Sequence, residues 1–120
     1  MDLADAYHSV RNDPDSVKHT TFVTHMGNFN SLIMQQGDCN ASATMMKVMT
    51  DIFKDLIYKP DKGVVVYLDD IIISTKTYED HVDLVREVLR RLKKEKFYIK
   101  KEKCQLLTKE LKILGYVVTL

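Results

Sequence analysis

Two apolar, β-branched runs meet at a pair of adjacent acids in Gly63-Val64-Val65-Val66-Tyr67-Leu68-Asp69-Asp70-Ile71-Ile72-Ile73. An unpaired carboxylate in a low-dielectric interior costs several kcal/mol, so these acids cannot sit in the middle of one buried strand. A hairpin resolves the conflict. Val64 to Tyr67 runs out, Asp69 and Asp70 sit on the turn, and Ile71 to Ser74 runs back. Taken alone, such a turn is equally an ordinary exposed, Asp-rich hairpin.

The rest of the pattern supplies the covering layers. From Ala41 to Tyr58, Met45, Val48, Met49, Ile52, Phe53, Leu56 and Ile57 recur at helical spacing, which predicts a core helix ending before Lys59-Pro60. Its methionine-rich stripe reads as packing. Thr77-Tyr78-Glu79-Asp80 has the form of a capping box and opens a second helix over about 78 to 95. The apolar face of that helix is His81, Leu84, Val85, Val88, Leu89 and Leu92. Upstream, Asp13-Pro14-Asp15-Ser16 reads as a turn, and Thr20–Thr24 with Phe29–Met34 reads as a hairpin around Met26-Gly27-Asn28.

Composition narrows the class. A chain of 120 residues, 45% hydrophobic and 29% charged, is one globular domain at most. No apolar run approaches the roughly 18 residues of a membrane span, and the basic-then-apolar order of a signal peptide is absent, which points to an intracellular protein without a membrane partner. Cys39 and Cys104 have no partners at metal-ligand spacing, and His8, His19, His25 and His81 form no zinc motif, so reduced thiols and no zinc are expected. Charge is unevenly spread. Residues 90–103 carry eight basic groups against Glu95 and Glu102, a local +6, which leaves −5 elsewhere for the overall +1. That split suits a face for a polyanion and another for cations; a solvated helix end followed by a basic loop explains it equally.

Tyr67-Leu68-Asp69-Asp70 resembles the Tyr-x-Asp-Asp turn of reverse transcriptases, and further matches flank it in the family's order. The resemblance spans essentially the whole chain and is greatest to gypsy-class LTR retrotransposon (Metaviridae-type) polymerases. Asp2-Leu3-Ala4-Asp5-Ala6-Tyr7-His8 is similar to the first catalytic motif, although by itself Asp2 reads as an N-cap at a frayed terminus. Met34-Gln35-Gln36-Gly37-Asp38-Cys39-Asn40-Ala41-Ser42-Ala43-Thr44 resembles the segment that meets nucleotide and templating base, with Gln35 and Ser42 where that family has prolines. As a bland alternative it is a polar loop in which Asn40 caps the next helix. Phe97 to Cys104 resembles the family's x-x-x-Lys-x-x-Lys-Cys element, and Leu114-Gly115-Tyr116-Val117-Val118 its primer-gripping strand.

The resemblance implies an α/β (α+β) polymerase palm: a ferredoxin-like antiparallel sheet centred on the Val64 to Ser74 hairpin, with two helices on one face and a fingers hairpin projecting from the N-terminal side. Residues 1–9 and 41–120 would be palm and 10–40 the second part of the fingers, within a partial domain lacking the first part of the fingers, the thumb and the ribonuclease H. It implies Asp2, Asp69 and Asp70 as catalytic carboxylates holding two Mg²⁺ or Mn²⁺ ions, Asp2 and Asp69 bridging both. Nucleotide contacts would come from Leu3, Tyr7 as steric gate, Gln36, Gly37, and Lys103 as proton donor to pyrophosphate. Tyr67, Leu68, Leu114, Gly115 and Tyr116 would meet primer and template.

The implied partners are an RNA or DNA template with primer, deoxynucleoside triphosphates and the other parts of a Pol polyprotein. The implied location is the cytoplasm, in a virus-like particle, with nuclear access. Two other readings stand beside this one: a catalytically inactive remnant serving as a nucleic-acid-binding or interaction module, and an unrelated ferredoxin-like domain.

Overall fold

A computed structural model describes residues 1–57, 59, 61–113 and 115–119. Its centre is the expected hairpin, β4 (Lys62–Tyr67) with β5 (Asp70–Thr75), in a register that pairs Val64 with Ile73, Val66 with Ile71 and Tyr67 with Asp70. Cross-strand partners share a face and successive residues alternate. Val64, Val66 and Ile71 are therefore buried together, while Val65 looks the other way and is exposed.

The buried face is covered by both helices, α1 (Ala41–Phe53) and α2 (Tyr78–Lys94). Met45, Met49 and Phe53 from α1 interlock with Leu84, Val88 and Leu92 from α2 in one core. The capping box forms as expected: the Thr77 hydroxyl accepts from the Asp80 N–H at 3.2 Å and donates to Asp80 Oδ2 at 2.7 Å. Leu89, expected on the apolar face, stands at its rim and is 37% exposed.

α1 stops at Phe53, short of the expected 58, and Tyr58 itself lies outside the described residues. The N–H groups of Leu56 and Ile57 both donate to the Phe53 carbonyl, turning the chain so that Ile57 bridges Val64 in parallel and the Val64 N–H donates to the Leu56 carbonyl at 2.9 Å. Backbone pairing to the hairpin edge, with Leu56 and Ile57 packed on the core, outweighs another turn of helix. Gly63 is required here, because a Cβ would stand 2.9 Å from the Lys59 carbonyl oxygen.

The upstream hairpin also differs from expectation. It pairs β2 (Phe22–Thr24) with β3 (Gly27–Phe29), so Gly27 and Asn28 lie in a strand and the loop is His25-Met26. The Thr24 hydroxyl closes this tighter turn by accepting from the Met26 N–H at 3.2 Å and donating to the Gly27 carbonyl at 3.1 Å. The run expected to extend β3 folds back instead. The Met34 N–H donates to the Val10 carbonyl, the Asn12 N–H to Leu32, and the Asn12 side chain to the carbonyls of Ser31 and Ile33.

The predicted sheet is built from two-stranded ladders. One pairs β1 (Leu3–Ala4) with β6 (Tyr98–Ile99), and another pairs β7 (Glu110–Ile113) with β8 (Tyr116–Thr119). Residues 1–3 join the first of these to the central hairpin. The Met1 nitrogen donates to the Ile71 carbonyl at 2.7 Å, Ile71 N–H to Met1 at 2.9 Å, and Leu3 N–H to Asp69 at 3.3 Å. The antiparallel order is thus β4, β5, residues 1–4, β6. The primer-strand segment expected from Leu114 begins as a strand only at Tyr116, and Leu114 lies outside the described residues.

Arg91, counted within the basic stretch, serves the fold. Its guanidinium donates to both Asp55 oxygens, to Glu87 Oε1 at 2.7 Å and to the Ile52 carbonyl at 2.9 Å, tying α2 to the end of α1. The Arg91 guanidinium holds the Asp55 carboxyl well below its usual range, and hydrogen bonds from Arg90 first and then Arg91 bring Glu87 down to about 2.

Val88 is fully buried, so Val88→Asp is expected to abolish the cooperative thermal transition followed by circular dichroism, a buried lone charge costing several kcal/mol. The depressed Glu87 pKa makes a second prediction. Its contribution is complete above about pH 4.5 and lost as pH falls toward about 2. Urea midpoints should therefore drop across that window, and less steeply in Glu87→Gln.

Candidate active site

The loop closing β4 and β5 is only Leu68-Asp69. Leu68 adopts φ +54°, a left-handed conformation that costs a side-chain-bearing residue about 1 kcal/mol or more. Its N–H is held by Met46 Sδ at 2.9 Å. Met46 is thus a turn-supporting residue that stands outside the helical stripe of Met45, Val48 and Met49. It sits beside the buried Met45, and its place off the apolar stripe gives no sign of a contact with the turn.

The ladder between residues 1–3 and 69–71 sets Asp2 directly opposite Asp70. Directly opposed residues of an antiparallel pair project on one face with Cβ atoms about 5 Å apart, and like charges so placed repel. Asp2 Oδ1 is buried without a hydrogen-bond partner, while Oδ2 lies 3.6 Å from Lys103 Nζ. The Asp70 carboxyl is raised above its ordinary range by loss of solvent on one side, then by the charge of Asp69; the positive Met1 nitrogen opposes this, and Asp2 adds a smaller upward push. A cleft of about 350 Å³ opens over the pair, lined also by Lys103, Lys112, Gln105 and Ile113.

Asp69 is not drawn into the pair. It stands on the turn, one residue before β5 begins, and its charge acts on Asp70 more strongly than that of Asp2 does. Asp69 does not line the cleft, and among the described residues no three His, Cys, Asp or Glu side chains converge as a metal cage. Its backbone is nonetheless adjacent, since its carbonyl accepts the Leu3 N–H. A divalent ion needs only one or two carboxylates when water and phosphate complete its shell, and the buried, unpartnered Asp2 oxygen beside Asp70 fits that donor set.

The other expected contacts are dispersed. Leu3 is buried in the core at 1% exposure, so only its backbone is available, which removes its side chain from the expected nucleotide contacts. Tyr7 is half-buried in a short 3₁₀ turn, Tyr7–Ser9, and packs against the core. Gln36 and Gly37 lie in the exposed turn before α1, and Gly37 has φ +106° with open space where a Cβ would be. Tyr67 is exposed on the hairpin. Gly115 turns the β7–β8 loop and Tyr116 is 76% exposed beyond it, lining a separate apolar groove of about 780 Å³. Of the expected set, the carboxylate cleft gathers Asp2, Asp70 and Lys103.

A hairpin carrying an acidic doublet, two helices on one of its faces and a third acid on the strand beside it define a palm-like α/β unit. The profile of the family described as Reverse transcriptase (RNA-dependent DNA polymerase) matches residues 1–118, and the chain belongs to that family. It is 34% identical over 119 residues to a retrovirus-related Pol polyprotein from transposon 297 of Drosophila melanogaster, covering 99% of this chain and 11% of that one. It is 30% identical over 119 residues to the transposon Tf2-3 polyprotein of Schizosaccharomyces pombe, covering 99% of this chain and 9% of that one. The chain thus spans about a tenth of the length of these relatives. Among solved structures, the foamy viral protease-reverse transcriptase in complex with RNA/DNA hybrid superposes with a TM-score of 0.82 at 29% identity, covering 98% of this chain and 15% of that one. The same protein in complex with dsDNA gives 0.84 at 27% identity, covering 99% and 24%.

Opposed carboxylates should make the metal-free site unfavourable for folding. Asp70→Asn is expected to raise metal-free stability at pH 7 by a few tenths to about 1 kcal/mol. Denaturant titration in the presence of a chelator measures this, and a lowered midpoint would contradict the repulsion.

Proposed function

We propose that this chain is the palm, with the second part of the fingers at residues 10–40, of an RNA-directed DNA polymerase from a gypsy-class LTR retrotransposon Pol polyprotein. Its reaction would be nucleotidyl transfer onto a primer 3′-hydroxyl, on an RNA or DNA template, with deoxynucleoside triphosphates as substrates. The observation that carries this reading is the pairing of Asp2 with Asp70 across a backbone ladder, with one Asp2 oxygen buried and unpartnered.

Asp2 and Asp69 would be the main ligands of the divalent cations, Asp69 turning in from the loop, with Asp70 as a secondary ligand opposite Asp2. When bound, two Mg²⁺ or Mn²⁺ ions supply activation of the primer oxygen and neutralisation of phosphate charge. The strained Leu68 turn, fixed by Met46, keeps the doublet from drifting relative to Asp2. Tyr7 would limit the space beside the sugar, and the open backbone at Gly37 would allow close approach of a base, with the Gln36 amide offering both a donor and an acceptor. Gly115 and Tyr116 would meet the primer end, as would Leu114.

A second reading, a palm retained for binding without catalysis, draws on the position of Asp69 outside the carboxylate pair. Primer extension separates the two. In a Pol polyprotein segment that extends a primer, Asp2→Asn and Asp69→Asn are each expected to lower Mg²⁺-dependent extension by roughly a hundredfold or more while leaving primer–template affinity nearly unchanged. Extension at the parental rate by Asp69→Asn would overturn the catalytic assignment.

A further inference from the structure

Asp2 faces an acid across the ladder and a base across the cleft, and the base is mounted on Asp2 itself. The Lys100 N–H donates to the Asp2 carbonyl at 3.0 Å, and the Lys103 N–H donates to the Lys100 carbonyl at 3.0 Å. In the 3₁₀ turn so formed, Lys101–Lys103, residues three apart stack on one side, which returns the Lys103 side chain over Asp2. Its ammonium reaches Oδ2 at 3.6 Å and leaves Oδ1 unpartnered. The lysine side chain is 59% exposed and the aspartate 24%, the profile of a loose, solvent-accessible partner on a mostly covered acid.

We propose that Lys103 is the resident counter-ion of Asp2, occupying the cation's side of the cleft in the metal-free protein and giving way when a divalent ion binds. This rests on the reading of the cleft as a metal site and adds a competitor to it. The lysine neutralises Asp2 where Asp70 repels it, and because its bond is long and exposed it can be exchanged for a divalent charge. Once released, its ammonium remains tethered at the cleft edge, facing whatever anion the cation brings. A lysine that served only to attract phosphate would weaken metal binding no more than another ammonium of the same cleft, such as Lys112.

Mn²⁺ binding to the whole chain without nucleotide, followed by electron paramagnetic resonance, tests this. Lys103→Met is expected to bind Mn²⁺ roughly two- to fivefold more tightly than the parent, the change falling at high salt. Lys103→Arg should keep the parental affinity, and Asp2→Asn should bind more weakly than the parent. Lys112→Met removes a charge from the same cleft without breaking a salt bridge to Asp2, and is expected to change affinity less. Equal or weaker binding by Lys103→Met, or an equal gain in Lys112→Met, would overturn the counter-ion role while leaving the metal site intact. Failure of both the parent and Lys103→Met to bind Mn²⁺ would remove the metal site and the counter-ion role with it.

Discussion

Three backbone hydrogen bonds between residues 1–3 and 69–71 decide what this protein can do. They join groups 66 to 70 positions apart in sequence and set Asp2 beside the hairpin tip rather than anywhere else on the surface. Side chains cannot supply that alignment, because two like-charged carboxylates repel; the backbone has to impose it. The imposed register fixes which acid is opposite which, since a slip of one residue would send Asp2 to the other face.

The ladder holds because both of its strands are anchored in the same core. Leu3 on one side and Ile71 on the other are almost fully buried, next to Val66 of the paired strand. α1 and α2 cover this face from behind, and the Arg91 clamp to Asp55, Glu87 and the Ile52 carbonyl keeps the two helices in step. The acids therefore stand at the rim of a packed layer, where burial is enough to perturb Asp70 yet open enough to admit a ligand.

What the letters reveal follows the range of the forces involved. The central hairpin and α2 are set by local patterning and a local cap, and both appear where the sequence places them. The end of α1 is set by pairing of Ile57 with Val64, a tertiary bond that periodicity cannot see, so the helix reads as longer than it is. The β2–β3 loop turns on one Thr24 hydroxyl, and residues 31–34 are taken by residues 10–12 rather than by β3. At the site, the acidic doublet is conspicuous in the pattern, and Asp2 gains meaning only through resemblance to a family. Its pairing with Asp70 and the role of Met46 belong to the fold. That Asp70, and not Asp69, lines the cleft with Asp2 follows from the register, which adjacency in sequence conceals.

Several local costs meet at the tip of the central hairpin. Leu68 takes a conformation suited to glycine, Asp2 keeps a buried oxygen without a partner, and two acids face each other across a ladder. Each of these opposes folding; left-handed non-glycine residues stand also at Asp5, Asp61, Lys96 and Leu107, but among the described residues only at the hairpin tip does one adjoin an unpartnered buried oxygen and opposed acids. Their coincidence at the hairpin tip is the physical ground for proposing a charged ligand there. A cation between the acids would turn their repulsion into attraction, and the orphaned Asp2 oxygen is the atom best placed to receive it.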